Sequence, residues 1–173
     1  MTNIAKVVAI FGISIGCALS PAMAEEPTRE EAISFLKTKL EGATVEYSTQ
    51  KSTGGCEAAP FCYVFTGFVY QSLEVDDACQ FKLKYKRVIK YPYPRPDNES
   101  TNSIVFSLRE MSLDSIKVSP EQESILTIAA PKVSLDVGKQ AVSIPSGSTE
   151  MGVRLSNAIK RLGVLCGAKN DPF

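Results

Sequence analysis

The sequence predicts an α+β fold, a single antiparallel sheet or partly closed barrel of about seven short strands, with an N-terminal helix before it and a C-terminal amphipathic helix after it. Three observations carry this expectation. The middle of the chain alternates apolar and polar residues with a period of two, most clearly from Cys79 to Ile89. Both flanks instead repeat apolar residues at helical spacing, and Pro120, Pro131, Gly138 and Pro145 punctuate the runs between them.

The chain begins with a leader. Met1 to Lys6 is lysine-tipped, Val7 to Leu19 is apolar, and Ala22-Met23-Ala24 precedes Glu25, which is the layout of a secretory signal peptide cleaved after Ala24. This divides the sequence into a signal peptide, 1–24, and a single globular domain, 25–173. The apolar run is too short to span a bilayer, so no stable transmembrane anchor is expected. A lipoprotein reading with Cys17 acylated is weaker, because Ser14 stands where a lipobox wants an aliphatic residue. The expected destination is the periplasm or the exterior, and in either the remaining cysteines are free to pair.

After the leader, Thr28 caps a helix and Glu31 completes a capping box with it. Ile33, Leu36 and Leu40, flanked by Ala32 and Phe35, give that helix one apolar face, and Gly42 stops it. Thr44 to Thr49 is a short strand. Phe61 to Tyr70, rich in aromatic and β-branched residues, is a strong one. Ser72 to Asp77 is polar and is expected to connect it to the next strand, in which Cys79, Phe81, Leu83, Tyr85 and Ile89 face a core while Gln80, Lys82, Lys84, Lys86 and Lys90 face water.

Tyr91-Pro92-Tyr93-Pro94-Arg95-Pro96 lacks a donor at its three prolines and reads as extended, making a long exposed loop with Asp97 to Asn102. Ser103 to Arg109 resumes alternation with Ile104, Phe106 and Leu108 inward. Further strands are expected at Ser115 to Val118, Ser124 to Ala129, Lys132 to Val137 and Ala141 to Ile144. Ser112-Leu113-Asp114 recurs as Ser134-Leu135-Asp136, a match too short to argue a repeat. The closing helix runs from about Thr149 to Cys166, with Met151, Leu155, Ala158, Ile159, Leu162 and Leu165 in one stripe and Gly167 as a left-handed cap. Strands closed by a C-terminal helix are the element order that pleckstrin-homology-like barrels show, and the chain resembles them in that order alone.

The four cysteines after the leader allow three pairings. If Phe61 to Tyr70 and Cys79 to Ile89 form a hairpin, Cys62 sits at its open end and Cys79 at its turn, too far apart to join. Cys56 then pairs with Cys62 across a short loop, and Cys79 with Cys166. By loop entropy the long bridge stabilises by about 4 kcal/mol. Cys56 and Cys62 lack Cys-x-x-Cys spacing, so a structural bridge is preferred to a redox or metal pair, and no metal or cofactor is expected.

Two surface features invite a functional reading. Lys82, Lys84, Lys86, Lys90 and Arg95 form a basic row suited to an anionic partner, although lysines on a strand face also simply deter aggregation, and Glu74, Asp76 and Asp77 nearby dilute their potential. Tyr91 and Tyr93, on the stiff proline segment, either present aromatic anchors or fold back on the core. Asn98-Glu99-Ser100 fits a glycosylation acceptor, which matters only in a host that glycosylates it.

Composition restricts the chemistry. There is no histidine anywhere, which removes histidine-based nucleophile activation, histidine metal sites and any side chain ordinarily titrating near neutrality. Carboxylate or lysine chemistry survives in principle, but Asp76, Asp77, Asp114 and Asp136 have no spacing that sets them apart from turn residues. Loss of residues 1–24 removes Lys6 and no acid, leaving a net charge of −1 over 149 residues, which does not suggest nucleic-acid binding. The expectation is an exported, non-enzymatic binding or accessory protein of the bacterial envelope, acting on an unidentified protein or anionic envelope component through the basic strand face and the adjacent loop. The alternatives are an enzyme-inhibiting or immunity-type protein that uses the Cys56–Cys62 loop, and a small-molecule carrier with a pocket between the closing helix and the sheet.

Overall fold

The computed structural model describes residues 26–52, 61–91, 96–120, 122–124, 127–129 and 131–168. Helix α1 (Arg29–Leu40) starts at the expected capping box: the Thr28 hydroxyl accepts from Glu31 N–H and the Glu31 carboxylate accepts from Thr28 N–H. Ala32, Leu36 and Leu40 are its buried residues, and Gly42 turns the chain with a φ of 78° that favours glycine.

Strands β1 (Thr44–Ser52), β2 (Phe61–Val75), β3 (Gln80–Lys90) and β4 (Asn98–Ser107) form an antiparallel run in the order β4-β3-β2-β1. Two 3₁₀ turns, Leu108–Glu110 and Leu113–Ser115, lead to β5 (Lys117–Ser119). The short hairpin β6 (Gln122–Ser124) and β7 (Thr127–Ala129) adds to the far edge of the first sheet through Thr49 opposite Thr127. Strands β8 (Lys132–Val137) and β9 (Gln140–Pro145) make a second antiparallel sheet with β5, in the order β5-β8-β9. Helix α2 (Thr149–Leu165) closes the described chain, capped by Ser148 and ended at Gly167 with a φ of 82°.

The α+β class with a helix at each end is as the sequence predicts, and the sheets are open. The strands divide between two sheets because the segment after β4 folds into 3₁₀ turns whose apolar residues, Leu108 and Leu113, are buried beside Met111 and Ile116. Several strands are longer than expected: β1 continues to Ser52 and β9 spans Gln140–Pro145. β2 runs on to Val75, past a bulge between Tyr70 and Ser72, so the connection shrinks to Asp76–Cys79. Ser72 and Glu74 read as loop because they face water opposite Lys84 and Lys82, while Leu73 between them is buried. β4 starts at Asn98, its polar first half being an exposed edge strand paired with Ile89 to Tyr85.

One buried apolar cluster runs through the described residues, from Leu36 of α1 through Tyr70, Leu73, Phe81 and Leu83 of the first sheet to Val133, Leu135 and Ile144 of the second and Leu155, Ile159 and Leu162 of α2. Phe81 and Phe106 stack within it, with centroids 4.7 Å apart. The β2–β3 turn is where the elements converge. Cys79 is bonded to Cys166 of the α2 C-cap, its carbonyl accepts from Leu108 N–H at 2.9 Å, and Arg29 of α1 donates to the Asp76 carbonyl at 2.5 Å. The predicted bridge between Cys79 and Cys166 is present, with Cα atoms 6.0 Å apart. The two Ser-Leu-Asp runs fold differently, one as a 3₁₀ turn and one within β8.

Candidate functional site

Residues directly opposite one another in an antiparallel pair share a face, so the register of β1 to β4 assembles the outer face of the sheet around the lysines of β3. Lys82 stands between Glu74 and Val105, Lys84 between Ser72 and Ser103, Lys86 between Val69 and Thr101, and Lys90 opposite Phe65. Phe65 and Val105 on this face are each 50% exposed. Their neighbours in the chain, Val64 and Phe106, are buried, so strand alternation itself turns these two residues outward.

The charge on this face is distributed unevenly. Lys86 Nζ is 2.6 Å from a Glu99 oxygen, and Lys90 Nζ is 3.3 Å from Glu46 of β1, two strands away. Gly67 stands directly opposite Glu46, and the Glu46 side chain lies beside the position a Cβ would take there, reaching diagonally across β2 to Lys90. Lys82 and Lys84 form no ion pair among the described residues. Asp76 and Asp77 do not neutralise the row: the Asp76 carboxylate accepts from Gln80 N–H at 2.8 Å, and Asp77 lies 3.7 Å from Arg29. The acids that do so come from β1 and β4, and single-strand patterning could not place them.

Of the other predicted site residues, Tyr91 is half-buried at the end of β3, while Tyr93 and Arg95 lie outside the described residues. So do the leader and Cys56, and nothing is described of the Cys62 side chain although its backbone pairs with Lys51. Asp114 and Asp136 sit in the second 3₁₀ turn and in β8, where the Asp136 amide donates to Ser115 Oγ and its carbonyl accepts from Ser112 N–H. Among the described residues no three acids or cysteines gather as they would around a metal ion.

Two further features went unread in the sequence. On the inner face, Tyr47, Phe68, Tyr85 and Tyr70 form a ring-to-ring chain across β1, β2 and β3, with successive centroids 5.8, 5.6 and 6.3 Å apart. Tyr70 donates to the Pro145 carbonyl at 2.6 Å, and burial, assisted by Tyr85, raises its phenol well above the ordinary range. Leu155, Ile159 and Leu162 of α2 are buried. A groove of about 840 Å³ lies between α1 and α2. No family model, curated protein or solved structure matches the chain.

Proposed function

We propose that this is an exported, non-enzymatic binding protein of the bacterial envelope, and that a partner protein docks on the outer face of β1 to β4. The observation that carries the reading is the pair Lys82 and Lys84, which form no ion pair among the described residues, beside the half-exposed Val105. Lysines that already hold acids, as Lys86 and Lys90 do, gain little from an incoming anion, whereas Lys84, between Ser72 and Ser103, and Lys82, opposite Glu74 but not bonded to it, can still bond one. Glu46, Glu74 and Glu99 on the same face would be repelled by an anionic lipid surface, so mixed charge around exposed apolar groups favours a protein with a complementary acidic and apolar patch.

Export is supported by the leader and by the Cys79–Cys166 bridge, which belongs to an oxidising compartment. Among the described residues no helix is long and apolar enough to cross a membrane. The absence of histidine and the engagement of the Asp76 and Asp77 carboxylates by Gln80 N–H and Arg29 support a binding role over a catalytic one.

The test places a photo-crosslinking residue at position 105 in cells that export the protein, with the same residue at Glu150 as a comparison. A discrete adduct is expected from position 105, absent from position 150 and abolished by Lys82→Glu with Lys84→Glu. Equal adducts from both positions, or adducts indifferent to charge reversal, would refute the docking face.

A further inference from the structure

The groove between the helices has a chemistry of its own, distinct from that of the lysine face. Its apolar surface comes from Pro27, Ala32, Phe35, Ala158 and Val164, and its polar rim from Glu26, Glu31, Arg154, Lys160 and Arg161. Ala32 and Ala158 are small, so the two helices leave between them a volume that larger side chains would fill. A space of about 840 Å³ is in the range of small-molecule sites.

The charges do not cancel. Glu26 is held by Arg161, whose Nε also donates to the Pro27 carbonyl at 2.8 Å. Glu31 is occupied at the helix cap, accepting from Thr28 N–H at 2.8 Å. Both carboxylates of the rim thus already have partners. Arg154 lies with its guanidinium 5.3 Å from the centre of the Phe35 ring, and neither it nor the half-buried Lys160 forms an ion pair among the described residues. Three cations against two carboxylates leave the rim with a net charge of +1, and an apolar floor beside two cations without ion pairs disfavours a cationic guest. It suits a molecule with an apolar body and one anionic head.

We infer that the groove between α1 and α2 binds an amphipathic carboxylate, its hydrocarbon portion over Phe35, Ala158 and Val164 and its carboxylate between Arg154 and Lys160. Arg154 is prepared for this: stacking on Phe35 orders the guanidinium without consuming its hydrogen-bond donors. The contribution of the apolar contact scales with the area removed from water, and the charged head adds orientation.

Titration of the purified protein with dodecanoate, followed by calorimetry and native mass spectrometry, tests this, with dodecanol as the uncharged counterpart. Saturable uptake of a single molecule is expected, weakened roughly tenfold for dodecanol and for Arg154→Gln with Lys160→Gln, since charge-assisted bonds are lost in both cases. Ala158→Phe should abolish binding by filling the groove, and Lys84→Glu, on the far sheet face, should leave it unchanged. Non-saturable uptake, equal affinity for dodecanol, or wild-type affinity in the double glutamine variant would overturn the assignment. The glutamine variant decides the matter if Ala158→Phe does not fold, because its two changes are at the solvent-facing rim.

Discussion

Tyr70 shows how one buried polar group sets a pH limit on the fold. Its ring is 1% exposed and its hydroxyl donates to the Pro145 carbonyl across the two sheets. Replacing it with phenylalanine leaves that carbonyl without its partner, at a cost of about 1–2 kcal/mol near neutrality. The folded phenol titrates above its ordinary value of 10.0, the largest cause being burial. Unfolded chains therefore release this proton first. The stabilising contribution is complete below about pH 10 and is lost as the pH climbs beyond it. Urea unfolding at a series of pH values should show wild type losing stability more steeply than Tyr70→Phe above pH 10, with the gap between them narrowing. Parallel curves would mean that the hydroxyl is not protected as described. Alternation alone put Lys82, Lys84 and Lys86 on a wet face correctly, but the acids that pair with Lys86 and Lys90 depended on register with β4 and β1, which no single strand's pattern contains.

At the scale of an element, α2 illustrates what hydrophobic periodicity leaves out. Its ends were legible, since Ser148 caps the start and Gly167 supplies the left-handed stop. Its buried face was displaced from the apolar stripe: Leu165 is 42% exposed, while Gly152, Ser156 and Gly163 are buried with Leu155, Ile159 and Leu162. Small residues carry no hydrophobic signal, yet here they mark where the helix comes closest to the rest of the fold. A Cβ placed on Gly163 would stand 2.3 Å from Met111 Cε and 2.8 Å from Leu113 Cδ2, inside contact distance of two buried side chains. Valine is a better helix former than glycine, so intrinsic propensity alone predicts a small gain for Gly163→Val. Overpacking costs about 1–3 kcal/mol and outweighs it. Chemical denaturation should therefore give a net loss of roughly 2 kcal/mol, and a stabilised variant would show that Met111 and Leu113 yield freely.

At the scale of the molecule, α1, the segment after β4, and α2 all attach at the β2–β3 turn. The sequence made the α+β class readable, and hairpin geometry correctly joined Cys79 to Cys166. The division into two sheets was hidden because Phe106 and Leu108 continue the alternation past the point where β4 ends, so periodicity cannot see the 3₁₀ turn that redirects the chain. Nor did it reveal that Cys79 has a φ of 65°, a left-handed conformation held here by a residue other than glycine. Such a conformation costs a non-glycine residue about 1–2 kcal/mol, and it persists where surrounding contacts impose it. The Cys166 sulfur, the Leu108 amide and the Asp76 carbonyl that accepts from Cys79 N–H at 2.9 Å supply those contacts. Two variants that lack the bridge separate it from the turn. Cys79→Ala with Cys166→Ala should lose about 4 kcal/mol, the loop-entropy contribution of a bridge with a sequence separation of 87. Cys79→Gly with Cys166→Ala should recover about 1 kcal/mol of that, because glycine enters the left-handed region without penalty. Were the glycine variant no more stable than the alanine one, the turn would have relaxed once the bridge was gone. The disulfide, and not the Leu108 and Asp76 hydrogen bonds, would then be what sets the backbone at the junction of the fold.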